Sequence, residues 1–200
     1  MSGLDQDILE NMEITILTKD NQQLTWDREA AKQSQLMSVL MANERDENTF
    51  HLNVNYEILE YIKEYTAHHK NNPAKRISPL IKSSLRGFVS EWDYCFITGV
   101  CHLAYEGKGK VSKENRDNAE RLLELVRIAN YMDIEPLVEL CAAYLASIIK
   151  CYEKDDPQFL KTAFGEKQPY TEEQHRIVRE KVRWNDPDYD PTEYNAKFLK

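Results

Sequence analysis

The sequence has no run of about 18 consecutive apolar residues, the length that a helix needs to cross a lipid bilayer. Its first residues include Asp5, Asp7 and Glu10, so the basic and then apolar pattern of a secretory signal is also missing. These two absences predict an intracellular protein without a membrane partner.

Cysteine is scarce and irregularly spaced. The four cysteines are Cys95, Cys101, Cys141 and Cys151, and no CxxC pair occurs. A disulfide framework or a structural zinc site needs regular spacing or four well-placed ligands. Cys95, Cys101 and His102 could offer ligands, but the set is incomplete. We therefore expect reduced thiols, no metal and no other cofactor.

Motifs for catalysis and for phosphate binding are absent as well. The stretch from Gly107 to Lys110 lacks the GxxxxGK[ST] spacing of a phosphate-binding loop. No serine or cysteine nucleophile motif accompanies a base, and no cofactor fingerprint occurs. The net charge of −8 would repel a phosphate backbone, and no concentrated basic face offsets it. We predict neither an enzyme nor a nucleic-acid-binding protein.

What is present predicts a folded α/β unit. The chain has 200 residues, 42% of them hydrophobic and 30% charged, which suits one domain with an extension. Glu13 to Thr18 alternates, and a second extended segment through Trp26 completes a β-hairpin. Asp27 can cap a single helix that ends before Asn43. After a short strand, another helix runs to His68 and His69, which we expect at a solvated helix end.

Two irregular segments interrupt the middle of the chain, at residues 71–90 and 99–118. Beyond them one helix ends near Asn130 and Tyr131. The next helix carries apolar residues at positions i, i+3, i+4, i+7 and i+8 from Leu137 onwards, a stripe that must be covered by protein.

Two short helices follow, one from Asp156-Pro157 to Gly165 and one from a capping box at Thr171. Isolated helices of this length are marginal in water. They either close on their own domain or form an open groove for helices of another chain. Trp184 favours the groove, because tryptophan is common at interface hot spots.

Seven segments in chain order resemble motifs of the Skp family, the adaptors that hold F-box proteins in cullin-based ubiquitin ligases. They are Ala31–Ser34 (AKQS), Leu52–Asn55 (LNVN), His68–Lys70 (HHK), Glu91–Phe96 (EWDYCF), Ala129–Ile134 (ANYMDI), Lys161–Phe164 (KTAF) and Thr171–Trp184.

The resemblance implies an α/β (α+β) fold with a BTB/POZ-type core at residues 13–150, irregular insertions included. It implies F-box-binding helices at 151–185, and we expect flexible tails at 1–12 and 186–200. The implied function is an adaptor that links F-box substrate receptors to a cullin by protein–protein binding, in the cytoplasm and the nucleus.

The resemblance also implies two sets of site residues. Asn130 and Tyr131 match the family's cullin-binding motif. The predicted F-box-binding residues are Leu137, Leu140, Cys141, Tyr144, Ile148, Phe164, Ile177, Val178 and Trp184.

The chain departs from the family pattern in two places. Its loop from Lys75 to Arg86 is basic where the family's loop is acidic, and residues 99–118 are longer than the family's short link. The alternative function is a BTB scaffold that self-associates as a homodimer or a higher oligomer, or an elongin C-like adaptor. The segment Asp156 to Trp184 favours F-box binding, because an elongin C-like protein would not need it.

Overall fold

The computed structural model describes residues 13–43, 48–77, 85–107, 110–152, 156–165, 171–173 and 176–177. The chain divides into two units, residues 1–165 and 166–200. Within the second unit, the described residues 172–173 and 176–177 are helical. The strands and the helices named below all belong to the first unit.

Three short strands form a sheet: β1 (Glu13–Leu17), β2 (Gln23–Asp27) and β3 (Thr49–His51). Their order is β2-β1-β3, with β1 antiparallel to β2 and parallel to β3. The turn between β1 and β2 passes through Asn21 at φ 58°, a backbone conformation that asparagine tolerates better than most residues. The predicted β-hairpin is confirmed.

The helix predicted after β2 is two helices, α1 (Arg28–Ala31) and α2 (Gln35–Asn43). Asp27 caps α1 as predicted, since its Oδ1 accepts a hydrogen bond from the Ala30 N–H at 2.7 Å. The break falls at Ser34, whose hydroxyl donates to the Met132 carbonyl at 2.6 Å and accepts from the Met37 N–H. Ser34 therefore caps the start of α2, and its hydroxyl donates to a partner 98 residues away, which no local pattern reveals.

Five further α-helices follow in the first unit: α3 (Tyr56–His69), α4 (Glu91–Cys101), α5 (Lys113–Tyr131), α6 (Glu135–Tyr152) and α7 (Pro157–Ala163). Together with the sheet they confirm the predicted α+β class. None of the helices among the described residues is long and apolar enough to span a bilayer.

The irregular segment predicted at residues 99–118 is shorter in the structure. Helix α4 continues to Cys101, and α5 begins at Lys113 behind Ser112, whose Oγ accepts from the Asn115 N–H at 3.1 Å. The first two turns of α5 are mostly polar, so apolar periodicity could not reveal them. Within the predicted segment, the described residues 102–107 and 110–112 lack helix or strand.

Two asparagine side chains of α5 bind the connection between α4 and α5. Asn115 is 2% exposed; its Oδ1 accepts from the Ala104 N–H at 2.9 Å and its Nδ2 donates to the Ala104 carbonyl at 2.7 Å. One helical turn later, Asn118 Nδ2 donates to the His102 carbonyl at 2.7 Å. These bonds satisfy backbone groups of His102 and Ala104, although neither residue belongs to a helix or a sheet.

Candidate partner-binding surfaces

Five of the predicted F-box-binding residues lie on α6, and all five are at most 6% exposed. They are Leu137, Leu140, Cys141, Tyr144 and Ile148. They form part of the chain's own core, so the prediction that they lie open in a groove does not hold in the structure. Periodicity revealed that this face is covered, but not that the same chain covers it. A role of α6 in F-box binding stays a prediction and passes to its more exposed side chains.

The predicted residues beyond α6 have different surroundings. Phe164, the C-cap of α7, is half-buried against the core. Ile177 is 40% exposed. Val178 and Trp184 lie outside the described residues. Of the nine predicted residues, six are described in the first unit and Ile177 in the second.

Helix α7 is anchored to the first unit by one aromatic residue. Phe159 is fully buried, and α7 packs against both α5 and α6. The helix begins as predicted, because Asp156 Oδ1 accepts from the Phe159 N–H at 3.1 Å. It also ends as predicted, since Gly165 adopts φ 80°, which favours glycine after a helix.

One face of α5 is exposed from its middle to its end. Leu123, Arg127, Asn130 and Tyr131 follow helical spacing, and all four are exposed. Leu123 is 43% and Tyr131 is 48% exposed, so this face presents apolar and aromatic surface to solvent. We call these four residues the α5 surface.

A salt bridge borders the α5 surface. Arg127 donates hydrogen bonds from its guanidinium group to both carboxylate oxygens of Glu124. These hydrogen bonds lower the pKa of Glu124, so the carboxylate remains charged at neutral pH. The surface therefore combines apolar side chains with a fixed ion pair.

The end of α5 is locked by a Schellman turn. The Ile134 N–H donates to the Ala129 carbonyl at 3.0 Å, and the Asp133 N–H donates to the Asn130 carbonyl at 3.1 Å. Asp133 takes the left-handed position, at φ 53°, where glycine is usual. This turn fixes the backbone that carries Asn130 and Tyr131.

The same turn caps α2. The carbonyls of Met132 and Asp133 accept hydrogen bonds from the N–H groups of Leu36 and Gln35, at 3.4 and 3.3 Å. Unsatisfied carbonyls at the end of α5 thus meet unsatisfied N–H groups at the start of α2. Asn130 and Tyr131 are positioned by two helices, and the structure leaves both side chains accessible to a partner.

The prediction that His68 and His69 lie at a solvated helix end is wrong. His69 is 7% exposed, and its Nε2 lies 2.9 Å from Asp93 Oδ1 while its Nδ1 lies 2.7 Å from the Asn72 carbonyl. His68 stacks on Trp92 with ring centroids 3.7 Å apart. Helix α4 folds back onto the end of α3 and covers both rings, a contact between residues distant in sequence. We call the buried pair the His69–Asp93 clamp.

Ser90 completes a set of side chains that resembles a hydrolase triad in composition but not in arrangement. Its hydroxyl donates to Asp93 Oδ2 at 2.6 Å and accepts from the Asp93 N–H at 3.0 Å, so it caps α4. In a triad the histidine lies between serine and carboxylate, whereas here the carboxylate lies in the middle. The cavity at Ser90 and Asp93 measures about 10 Å³, about the space of one water molecule. This cluster is built to hold two helices together.

The four cysteines separate into two classes, and none forms a disulfide. Cys101 and Cys141 are buried, whereas Cys95 and Cys151 are exposed. Burial raises the pKa of Cys101 to about 12 and raises the pKa of Cys141 as well. Among the described residues, no group of three or more histidine, cysteine or acidic side chains is placed to hold a metal ion.

This division predicts the reactivity of the thiols. At pH 8 an aromatic disulfide reagent is expected to titrate two thiols of the native protein rapidly and all four after unfolding in urea, because thiolates are the reactive species. Cys95→Ser and Cys151→Ser should each remove one fast thiol. Rapid reaction of a third thiol in the native protein would show that the core around Cys101 and Cys141 opens readily.

Comparison with known proteins gives one family and several relatives. The family model described as Skp1 family, tetramerisation domain, matches residues 12–71. The S-phase kinase-associated protein 1 homolog of Tetrahymena thermophila is 31% identical over 173 residues, which cover 86% of this chain and 92% of that protein.

Two fungal relatives carry a more explicit name. The E3 ubiquitin ligase complex SCF subunit sconC of Talaromyces marneffei is 24% identical over 174 residues, covering 86% of this chain and 96% of that protein. The protein of the same name from Neosartorya fischeri is 25% identical over 173 residues, with the same coverage. All three similarities extend well beyond the region of the family model.

Proposed function

The chain belongs to the Skp1 family, and from this premise we propose that it is an adaptor subunit linking F-box substrate receptors to a cullin in a ubiquitin-protein ligase complex. It acts by binding proteins and not by catalysis. The fungal relatives named as SCF ligase subunits support this function, because the similarity covers 86% of the chain and 96% of each relative.

The proposal depends on one observation, that the α5 surface is exposed and rigidly held. An adaptor needs a rigid, accessible patch for each partner, and aromatic side chains on such a patch are typical hot spots. Tyr131 is 48% exposed, yet its backbone is fixed by the Schellman turn and by α2. Because the motif around Asn130 and Tyr131 resembles the family's cullin-binding motif, we assign the α5 surface to the cullin.

The F-box receptor is assigned to the C-terminal part of the chain. On α6 the more accessible apolar side chains are Leu145, Ile149 and Tyr152, which share one face at spacings of four and three residues. Phe164 at the end of α7 is also partly accessible. The resemblance adds the residues from Thr171 onwards. We therefore propose that receptor binding needs these residues as well as the accessible side chains of α6 and α7.

A chain that ends at Gly165 tests this assignment. It keeps α7 and therefore the buried Phe159, whereas a chain that ends at Cys151 would remove Phe159 and open the core. We expect the shortened chain to retain its helical circular dichroism and its binding of the cullin. Its affinity for a purified F-box domain should fall about tenfold or more, since a few anchoring residues carry most of an interface's energy.

Calorimetric titration of both chains with the same F-box domain measures the effect. A chain carrying Val39→Ala, which trims an exposed apolar side chain on α2, is the control and should bind as the full chain does. If the shortened chain binds the F-box domain with unchanged affinity, residues 166–200 do not belong to the receptor site.

A self-associating scaffold is the second candidate function. The description of the family model at residues 12–71 names a tetramerisation domain, which favours it. Light scattering over a concentration series separates the two functions. A mass that rises with concentration, together with failure to bind an F-box domain, would identify the scaffold.

A further inference from the structure

Tyr105 stands out in the connection between α4 and α5. Its ring is 51% exposed, yet it stacks on Tyr152 with centroids 5.4 Å apart and an interplanar angle of 21°. Phe159 lies below both rings, 6.1 Å from Tyr105 and 4.6 Å from Tyr152. A residue outside α6 and α7 thus joins the aromatic side chains where these two helices meet.

The residues on both sides of Tyr105 are tied to the start of α5. The backbone of Ala104 makes two hydrogen bonds to the Asn115 amide. The side-chain carboxylate of Glu106 accepts from Asn115 Nδ2 at 2.9 Å and from the Ser112 N–H at 2.8 Å. Tyr105 is therefore ordered before any partner arrives, which reduces the entropy cost of binding through its ring.

The ring is continuous with exposed apolar surface on α6. Ile149 is 41% exposed and lies three residues before Tyr152, on the same face of the helix. Tyr105, Ile149 and Tyr152 together are the Tyr105 patch. It adjoins α7 and the face of α6 that the proposed function assigns to the receptor.

We propose that the Tyr105 patch is a contact for the F-box receptor, in which an apolar helix of the receptor packs on the Tyr105 ring. The proposal rests on the proposed function and adds to it a residue from a segment that has no recognisable counterpart in the family's short link. Apolar, aromatic surface suits a helix laid in a groove. The cullin is a poor fit, because Asn130 and Tyr131 end α5, whereas Asn115, which binds Ala104 beside Tyr105, lies 15 residues before Asn130, or about 22 Å along the helix.

Tyr105→Ala tests the proposal in the full chain. We expect its dissociation constant for a purified F-box domain from the same organism to rise about tenfold, as truncation of an interface aromatic typically does. Tyr105→Phe should bind within about twofold of the unchanged chain, because it keeps the ring. Ile149→Ser, which leaves Tyr105 intact, should also weaken binding.

Val39→Ala is the matched control, since Val39 is 47% exposed on α2 and lies outside the patch. Circular dichroism and cullin binding should be unchanged in all four variants. If the unchanged chain binds the F-box domain and Tyr105→Ala binds equally well, the Tyr105 patch is not a receptor contact. If the unchanged chain does not bind the F-box domain at all, the proposed function itself fails.

Discussion

Replacing Asn130 and Tyr131 together by lysine is expected to weaken cullin binding about a hundredfold or more, without affecting the affinity for an F-box domain. The two side chains are exposed in the last turn of α5, where lysine is compatible with the helix and with its C-terminal dipole. The fold should therefore survive. The partner would lose an aromatic anchor and would have to bury two positive charges without prepared counter-charges.

The measurement is titration of the variant with the N-terminal domain of a cullin and, separately, with an F-box domain. Gln23→Lys with Thr25→Lys adds the same charge at two exposed positions on β2 and is the control. It should bind both partners as the unchanged chain does. Cullin binding that survives in the Asn130 and Tyr131 variant would show that the α5 surface has been assigned to the wrong partner.

Asp93→Leu is expected to lower the free energy of unfolding by about 2 to 6 kcal/mol, since it leaves two buried donors without an acceptor and each such group costs about 1 to 3 kcal/mol. Asp93 is 7% exposed and receives hydrogen bonds from His69 and Ser90. Leucine has a similar volume but no acceptor, so both donors would be left unsatisfied in the core. Urea unfolding followed by circular dichroism measures the loss.

Asp93→Asn is the matched control. An asparagine side chain can donate through its amide nitrogen to His69 Nε2, and its carbonyl can accept from the Ser90 hydroxyl. In this arrangement His69 accepts at Nε2 and donates from Nδ1 to the Asn72 carbonyl, so both of its ring nitrogens keep a partner. We expect this variant to lose less than about 1 kcal/mol. A Leu variant as stable as the Asn variant would show that the clamp contributes little to folding.

Local patterns predicted the features whose causes are local. The alternation from Glu13 to Thr18 predicted β1, the side chain of Asp27 predicted the start of α1, and Gly165 marked the end of α7. Each depends on residues within a few positions of one another. The end of α5 near Asn130 and Tyr131 belongs to the same class.

Contacts between residues distant in sequence decided the features that were missed. His69 is buried because Asp93, on another helix, provides an acceptor for its ring. Ser34 caps the start of α2 and donates its hydroxyl to the carbonyl of Met132, which lies far away in the sequence. No periodicity or spacing within one segment carries information about such a partner.

The candidate site was predicted in part. The resemblance pointed to Asn130 and Tyr131, and the structure exposes both. It also pointed to the apolar stripe of α6, which the structure buries, because a stripe looks the same whether its own chain or another covers it. Tyr105 was missed because it lies in a segment without periodicity and becomes noticeable only through its contact with Tyr152.

The mutual capping of α2 and α5 has a consequence for synthesis on the ribosome. The N–H groups of Gln35 and Leu36 find their acceptors on Met132 and Asp133, which are made almost a hundred residues later. Translation adds about 5 to 20 residues per second, so several seconds pass between the synthesis of α2 and the synthesis of these acceptors. The α5 surface is thus expected to reach its final geometry late in translation, so that incomplete chains released early would not occupy the ligase scaffold.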